Sequence, residues 1–555
     1  MSQDFNATVS QTRTIRPIAA SAIYGIAVYG DKFWAIDPRN GYLLEIDPLT
    51  DNTKILNSQN TADFIGATGL AISENILWFT RDENIYFCSL DDNSWQPQLF
   101  LRIYYPADGI AVWENTIYLT CHKTGEILIY NRKTAEKITH FYLPGIGVNN
   151  ITLREEEIWL TDDLEQTVYC LERATGETIF SVLTPFESPT GLTFFKNSNT
   201  QEETLYVAYA NREIYIRDNP NAEPNYELQY RDRTFIHPLH FHYNKEQKYA
   251  LSNGYLIELF YTEEIAPLDP IELPDLEWRI ALPAETDRQK IREITPIGLP
   301  FTEEVQDEQR IAVFKFDDFD SEKRYIFGWR AILEVWSIKY QITPADCETE
   351  AALPSEYRQK YLVDNDNLAM DNELIILAAK DAIGRETNIL RKIYSIRNYV
   401  YDKLRYGIRP HIDTPDIVLK RGVGSCGEYL GLLLALCRLN GIATRTVGRY
   451  KCPANSQQKN VPLLPDFNHV WMEFYLPNFG WLPMESNPDD IIEGGPYPTR
   501  FFMGLAWYHA EMAKGVPFAR LSSDGIPIDK EKVSIGELAI NHVRFMVLEE
   551  LKPTK

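Results

Sequence analysis

From about residue 20 to about residue 275, apolar and polar positions alternate in short runs broken by Gly, Asp and Asn. This is the pattern of half-buried strands, not of helices. A recurring unit opens on a glycine and a short apolar strand: Gly25-Ile26-Ala27-Val28, Gly69-Leu70-Ala71-Ile72, Gly109-Ile110-Ala111-Val112 and Gly191-Leu192-Thr193-Phe194. Asn150-Ile151-Thr152-Leu153 and Pro238-Leu239-His240-Phe241 are degenerate copies. Each is followed by a strand carrying an aromatic: Trp34, Trp78, Tyr118, Trp159, Tyr206 and Tyr249, at intervals of 44, 40, 41, 47 and 43 residues. A third strand follows a polar turn, as in Gly41-Tyr42-Leu43-Leu44-Glu45-Ile46 and Gly125-Glu126-Ile127-Leu128-Ile129-Tyr130.

Several short strands per ~40–45 residues, six times over, predict a six-bladed all-β propeller in residues 1–275. Each blade buries its faces against its neighbours, and the aromatics read as inter-blade packing. The stretch 12–17 is either a strand that closes the ring or an ordinary tail. The repeats resemble NHL-type propellers in general pattern, and that resemblance implies a ring face that binds a partner.

Near Leu276 the repeat stops. Trp278–Pro283, Arg310–Phe316 and Arg330–Ile338 still alternate as strands, which predicts a small β-sandwich over 276–345. From Asp346 the period becomes helical. Asp371 is a capping residue, and Ile389, Ile393, Ile396 and Val400 recur at helical spacing. Residues 346–555 are therefore expected to form an α+β core with a helical lead-in and a C-terminal extension.

Composition narrows the function. The 555 residues carry 55 Lys+Arg against 79 Asp+Glu, a formal charge of −24. Such a chain repels polyanions, and without a basic run neither nucleic acid nor an anionic membrane is an expected partner. No window has the ~20 apolar residues of a membrane span, and residues 1–17 contain no stretch of signal-peptide type. The seven cysteines are odd in number, scattered and free of any CxxC pair. Free thiols in a reducing, cytoplasmic compartment are expected.

The segment Arg421-Gly422-Val423-Gly424-Ser425-Cys426-Gly427-Glu428-Tyr429-Leu430 surrounds one cysteine with glycines and runs straight into an apolar helical stretch. Cys426 thus stands where a tight turn enters a helix. The unsatisfied N–H groups and positive helix end favour a thiolate there and are candidates for an oxyanion hole. A base is available in His469, which opens the strand His469–Leu476. Glu485 ends a second strand after the turn Pro477–Phe479. If Leu476 pairs with Gly480, Glu485 lies opposite Trp471 and diagonal to His469, within reach of its side chain. A two- or four-residue loop would put the two on opposite faces.

Gly-x-Cys-Gly at 424–427, the helix end Leu434–Arg445, the strand His469-Val470-Trp471-Met472-Glu473 and the segment Gly480-Trp481-Leu482-Pro483-Met484-Glu485 together resemble the transglutaminase-like core of the papain-like superfamily. The likeness covers about residues 276–500, weakly upstream of the core. It implies a nucleophile at Cys426, a base at His469 and an orienting acid at Glu485. The family usually has Asp followed by Pro-Thr, whereas this chain has Glu485-Ser486-Asn487, so Asn487 and Asp489 remain alternatives for the third role.

The resemblance further implies acyl transfer from an amide of a protein or peptide through a thioester, with hydrolysis placed ahead of transglutamination. The propeller would then bind a protein partner or the substrate. The alternative is a non-catalytic adaptor. No EF-hand-type loop is present, and neither metal nor cofactor is expected. Cys437 and Trp471 read as core, and the long polar loop 451–466 as a possible substrate flap.

Overall fold

The computed structural model describes residues 13–553, apart from 19, 93, 197–200, 217–227, 268, 349–351, 410, 466–467 and 529–532. The N-terminal half forms five antiparallel sheets of the repeat type, four with four strands and the fifth with three. Their first strands are Ile26–Tyr29, Ala67–Ser73, Gly109–Trp113, Val148–Arg154 and Pro189–Lys196. These touch one another in that order, and the last touches the first, giving a propeller-like ring.

The repeat glycines stand at the closest approaches within the ring. A Cβ on Gly25 would meet the Leu70 backbone at 2.6 Å, one on Gly69 the Ile110 backbone at 2.8 Å, and one on Gly191 the Tyr24 carbonyl at 2.0 Å. The fourth repeat has Asn150 at this position. Its amide donates to the carbonyls of Tyr24, Thr68 and Thr190 at 3.0, 3.1 and 3.1 Å, so one side chain ties three sheets together. Trp34, Trp78 and Trp159 are buried between sheets.

The pattern predicts six blades, and the described residues form five sheets of this type. The sixth repeat is diverted because its aromatic strand, Tyr249–Ile265, does not turn back after a blade's length. It is paired along most of its length by Tyr325–Tyr340 on one side and Ala539–Leu551 on the other, which places it in the next layer of the fold. The fifth sheet gains an outer neighbour from the start of the chain. Ile15 exchanges both backbone hydrogen bonds with Ile236, at 2.8 and 2.9 Å. Thr12, the first residue of the candidate closing strand, lies outside the described residues.

The second layer is a pair of packed sheets. One is ordered Phe241–Asn244, Tyr249–Ile265, Tyr325–Tyr340, Gln289–Ile297, with Ala539–Leu551 added along Tyr249–Ile265. The other contains Thr302–Gln306, Gln309–Phe316, Leu276–Ala281, Ala519–Ser523 and Ile526–Pro527. Trp278, Trp329, Phe314, Leu333, Trp507 and Phe545 fill the space between them.

Between Tyr340 and Gly504 the chain builds a helical unit. Helices Glu373–Ile383, Ile389–Lys403 and Pro415–Arg421 surround the helix Cys426–Leu439, which packs on a three-stranded sheet of Thr444–Tyr450, Asn468–Leu476 and Gly480–Met484. Asn372 and Asn388 cap the first two helices with their side chains. Among the described residues, no helix is long and apolar enough to cross a membrane.

Candidate functional site

Helix Cys426–Leu439 begins with a reciprocal cap. The Ser425 side chain accepts from the third helical N–H, while Glu428 accepts from the Ser425 N–H at 2.8 Å. The Ser-x-x-Glu spacing at 425–428 is the sequence signal for this arrangement, and it fixes the direction in which Cys426 enters the helix. Glu428 is buried and also accepts from Arg421 at 2.6 Å and from the Asp413 N–H at 3.1 Å. Burial works against its charge, but the N–H donors and Arg421 hold it below the ordinary carboxylate range. Gly422, at φ 71°, ends the preceding helix in the left-handed conformation that a side chain disfavours. A parallel bridge then pairs Arg405-Tyr406 with Val423-Gly424, which sets the half-exposed Tyr406 beside the cysteine turn.

Cys426 is half-buried, with Sγ 3.9 Å from the carbonyl oxygen of Asn468, the residue before His469. The hairpin takes the register in which Leu476 pairs with Gly480 and Met472 with Met484. The continuation of that register puts Glu485 opposite Trp471. His469 and Glu485 are both buried, and His469 Nε2 lies 2.8 Å from each carboxylate oxygen of Glu485. With Nε2 so engaged, Nδ1 is the ring nitrogen left for the thiol.

Burial opposes a charge on His469. The Glu485 carboxylate and the contact with the Cys426 side chain outweigh it and raise the imidazolium to about 9. Burial likewise opposes the charge on Glu485, but the imidazoles of His469 and His509 hold its carboxyl well below the ordinary range. The structure therefore brings Cys426, His469 and Glu485 together. Of the alternatives, Asp489 engages Arg500 at 2.9 Å and the Phe501 N–H at 3.1 Å, and Asn487 accepts from the Ser486 hydroxyl at 3.0 Å.

The sequence reading missed His509. Its Nε2 lies 2.5 Å from Glu485 Oε1, and burial pushes its imidazolium down to about 4. It comes 24 positions after Glu485, from a different layer of the fold, and no local spacing announces it. His469, Glu485 and His509 offer ligand atoms within 4.8 Å of one another, so they form the candidate cation cluster among the described residues. Ligands at 2.0–2.1 Å around tetrahedral zinc stand roughly 3.3 Å apart. The 2.8 Å His469–Glu485 separations are those of a shared proton.

The described part of the loop 451–466, residues 451–465, is anchored. Leu463 exchanges backbone hydrogen bonds with Phe545 at 2.7 and 2.8 Å, and the Asn460 N–H donates to Val547 at 2.8 Å. Cys437 and Cys452 are buried. Burial pushes the Cys437 thiol up to about 12 and raises that of Cys452 as well.

Residues 378–486 match the model of the transglutaminase-like superfamily. The chain thus carries a transglutaminase-like domain that contains Cys426, His469 and Glu485. No curated protein sequence matches the chain. Among solved structures, a Cytophaga hutchinsonii protein described as a "putative cysteine protease" is similar over 54% of this chain and 93% of its own, at 15% identity and a TM-score of 0.36. Myxococcus xanthus glutaminyl cyclase is similar over 35% of this chain and 88% of its own, at 13% identity and a TM-score of 0.28. A streptogramin B lyase is similar over 35% and 65%, at 18% identity and a TM-score of 0.25.

Proposed function

We propose that this protein is a cysteine-dependent acyl-transfer enzyme acting on an amide of a protein or peptide. The observation that carries the reading is the line from Cys426, at the start of a capped helix, through His469 to the buried carboxylate of Glu485. Glu485 fixes the ring of His469 and stabilises its imidazolium, so the thiol proton passes to the ring and the sulfur attacks as the thiolate of an ion pair. The sulfur forms a bond to the acyl carbon, and the oxyanion is met by N–H groups of the first helical turn. The C–N bond breaks as His469 gives its proton to the leaving amine, leaving a thioester on Cys426. His469 then takes a proton from the incoming acceptor, and that acceptor displaces the sulfur. Water gives hydrolysis and an amine gives transamidation. Our reading puts water, and so hydrolysis, slightly ahead.

The propeller-like ring is the candidate site for a protein partner or for the body of the substrate. Its acidity favours basic or neutral segments. Reaction with an iodoacetamide-type probe, read at Cys426 by peptide mass spectrometry, tests the nucleophile. Fast labelling of the wild type that is lost in His469→Ala supports the reading. Labelling no faster than that of a free thiol, and indifferent to His469, refutes it. Casein cleavage against incorporation of an amine then separates hydrolase from transferase.

A further inference from the structure

We propose that His509 is a positioning residue of this site, holding the Glu485 carboxylate in the orientation that aligns His469. The inference rests on the functional reading above and adds a fourth residue to it. A glutamate in the acid position has one more rotatable bond than an aspartate, so its carboxylate is less fixed by its own backbone. Here three neighbours fix it. Oε1 meets Nε2 of both His469 and His509, and Oε2 meets His469 Nε2 and the Ser486 N–H at 3.1 Å.

His509 is itself immobilised. Its ring is fully buried and lies edge-on to Trp471 at 5.1 Å, with Tyr508 at 4.8 Å and Phe501 at 5.6 Å. Its carbonyl accepts from Arg288 at 2.8 Å, and its N–H donates to Ala506 at 3.1 Å. Arg288 also donates to the Ala506 carbonyl at 2.8 Å and is held by Glu511 at 3.0 Å. The backbone of Lys451 pairs with that of His509 from the other side. Aromatic rings pack around the imidazole, and an apolar side chain of similar volume would keep that packing while giving up the contacts to Ala506 and Glu485. The imidazole makes two polar contacts, Nδ1 with the Ala506 carbonyl at 3.1 Å and Nε2 with Glu485, and the second of these reaches the site. His509 reaches the thiol only through Glu485 and His469.

The test uses the full chain with His509→Gln, which keeps an N–H donor at similar reach, and His509→Leu, which keeps bulk and removes the donor. Cys426 labelling by iodoacetamide is followed by peptide mass spectrometry, with thermal unfolding of each variant recorded alongside. The expected result is a loss of about tenfold or more in His509→Leu and a rate within about threefold of wild type in His509→Gln. Equal rates in the two variants, whether both fast or both slow, overturn the proposal. If His509→Leu does not fold, the Gln variant decides: labelling within threefold of wild type supports a donor role, and a tenfold loss despite the retained donor overturns it. A fast wild type with unaffected variants overturns this inference alone. A slow wild type overturns the functional reading and this inference with it.

Discussion

Glu485→Gln removes one charge from the centre of the site and keeps its volume. The His469 imidazolium stands at about 9 against an ordinary 6.5, a gap of about 2.5 pH units. At about 1.4 kcal/mol per unit this is on the order of 3 kcal/mol. Burial already pulls the other way, so without the carboxylate charge the imidazolium should fall below 6.5. The full change then exceeds that figure. Cys426 would lose the cation that pairs with its thiolate. The assay is the alkylation rate of Cys426 across the pH range, read site by site because Cys347 is also partly accessible. Wild-type labelling should hold a plateau between about pH 6 and about pH 8, over which His469 keeps its charge. The variant should label on the order of 100-fold more slowly near pH 6, with a rate that climbs as pH rises. Retention of the plateau within about threefold, in a folded variant, would refute the argument that Glu485 sustains the His469 charge.

Asn150→Ala should lower the unfolding midpoint by several degrees, since three carbonyls at the centre of the ring lose their shared donor at about 1–3 kcal/mol in total; an unchanged melt counts against its role as a tie. The two histidines pull stability in opposite directions. His469, raised to about 9, contributes stability that is complete below the unfolded value near 6.5 and is lost as pH rises through about 9. His509, lowered to about 4, costs stability as pH falls from about 6.5, because the unfolded chain takes up a proton that the folded site refuses. The His509→Gln variant should therefore lose less stability than wild type between about pH 6.5 and about pH 4.5; parallel acid sensitivity of the two melting curves would contradict this sign. Exhaustive chelation should leave Cys426 labelling unchanged. A loss restored by zinc would reassign His469, Glu485 and His509 as cation ligands.

The repeat was legible because its glycines answer to a physical constraint. Neighbouring inner strands approach too closely for a Cβ, so Gly recurs at that position at a regular interval. The same pattern overcounted the blades because it registers a strand and its aromatic, not the partner that the strand chooses. Tyr249–Ile265 has the signature of a blade strand, yet its long apolar continuation finds two long partners elsewhere in the chain. One of those partners, Ala539–Leu551, comes from the far end of the chain. Nothing local in Tyr249–Ile265 states that preference. The hairpin register at Leu476 and Gly480 was legible for the opposite reason. It depends only on a short loop and the alternation of two adjacent strands.

The candidate site divides along the same line. Cys426, His469 and Glu485 fall within one segment whose turn, cap and hairpin are each decided by neighbours in sequence. His509 does not, because of the path the chain takes between Glu485 and His509. That stretch crosses to the propeller-like ring, where the Thr499 N–H and hydroxyl donate to Glu165 at 2.8 and 3.0 Å. It then passes Lys339, whose ammonium donates to the carbonyls of Thr499, Arg500 and Phe502. At Trp507 it donates to Pro185 of the ring at 3.1 Å, and only then does it deliver His509 to Glu485. The carboxylate that orients His469 is thus held from one side by its own hairpin and from the other by a segment fastened to both β layers. A change at the ring that disturbs Glu165 or Pro185 bears on the segment carrying His509, and through the Nε2 contact on Glu485, without touching Cys426.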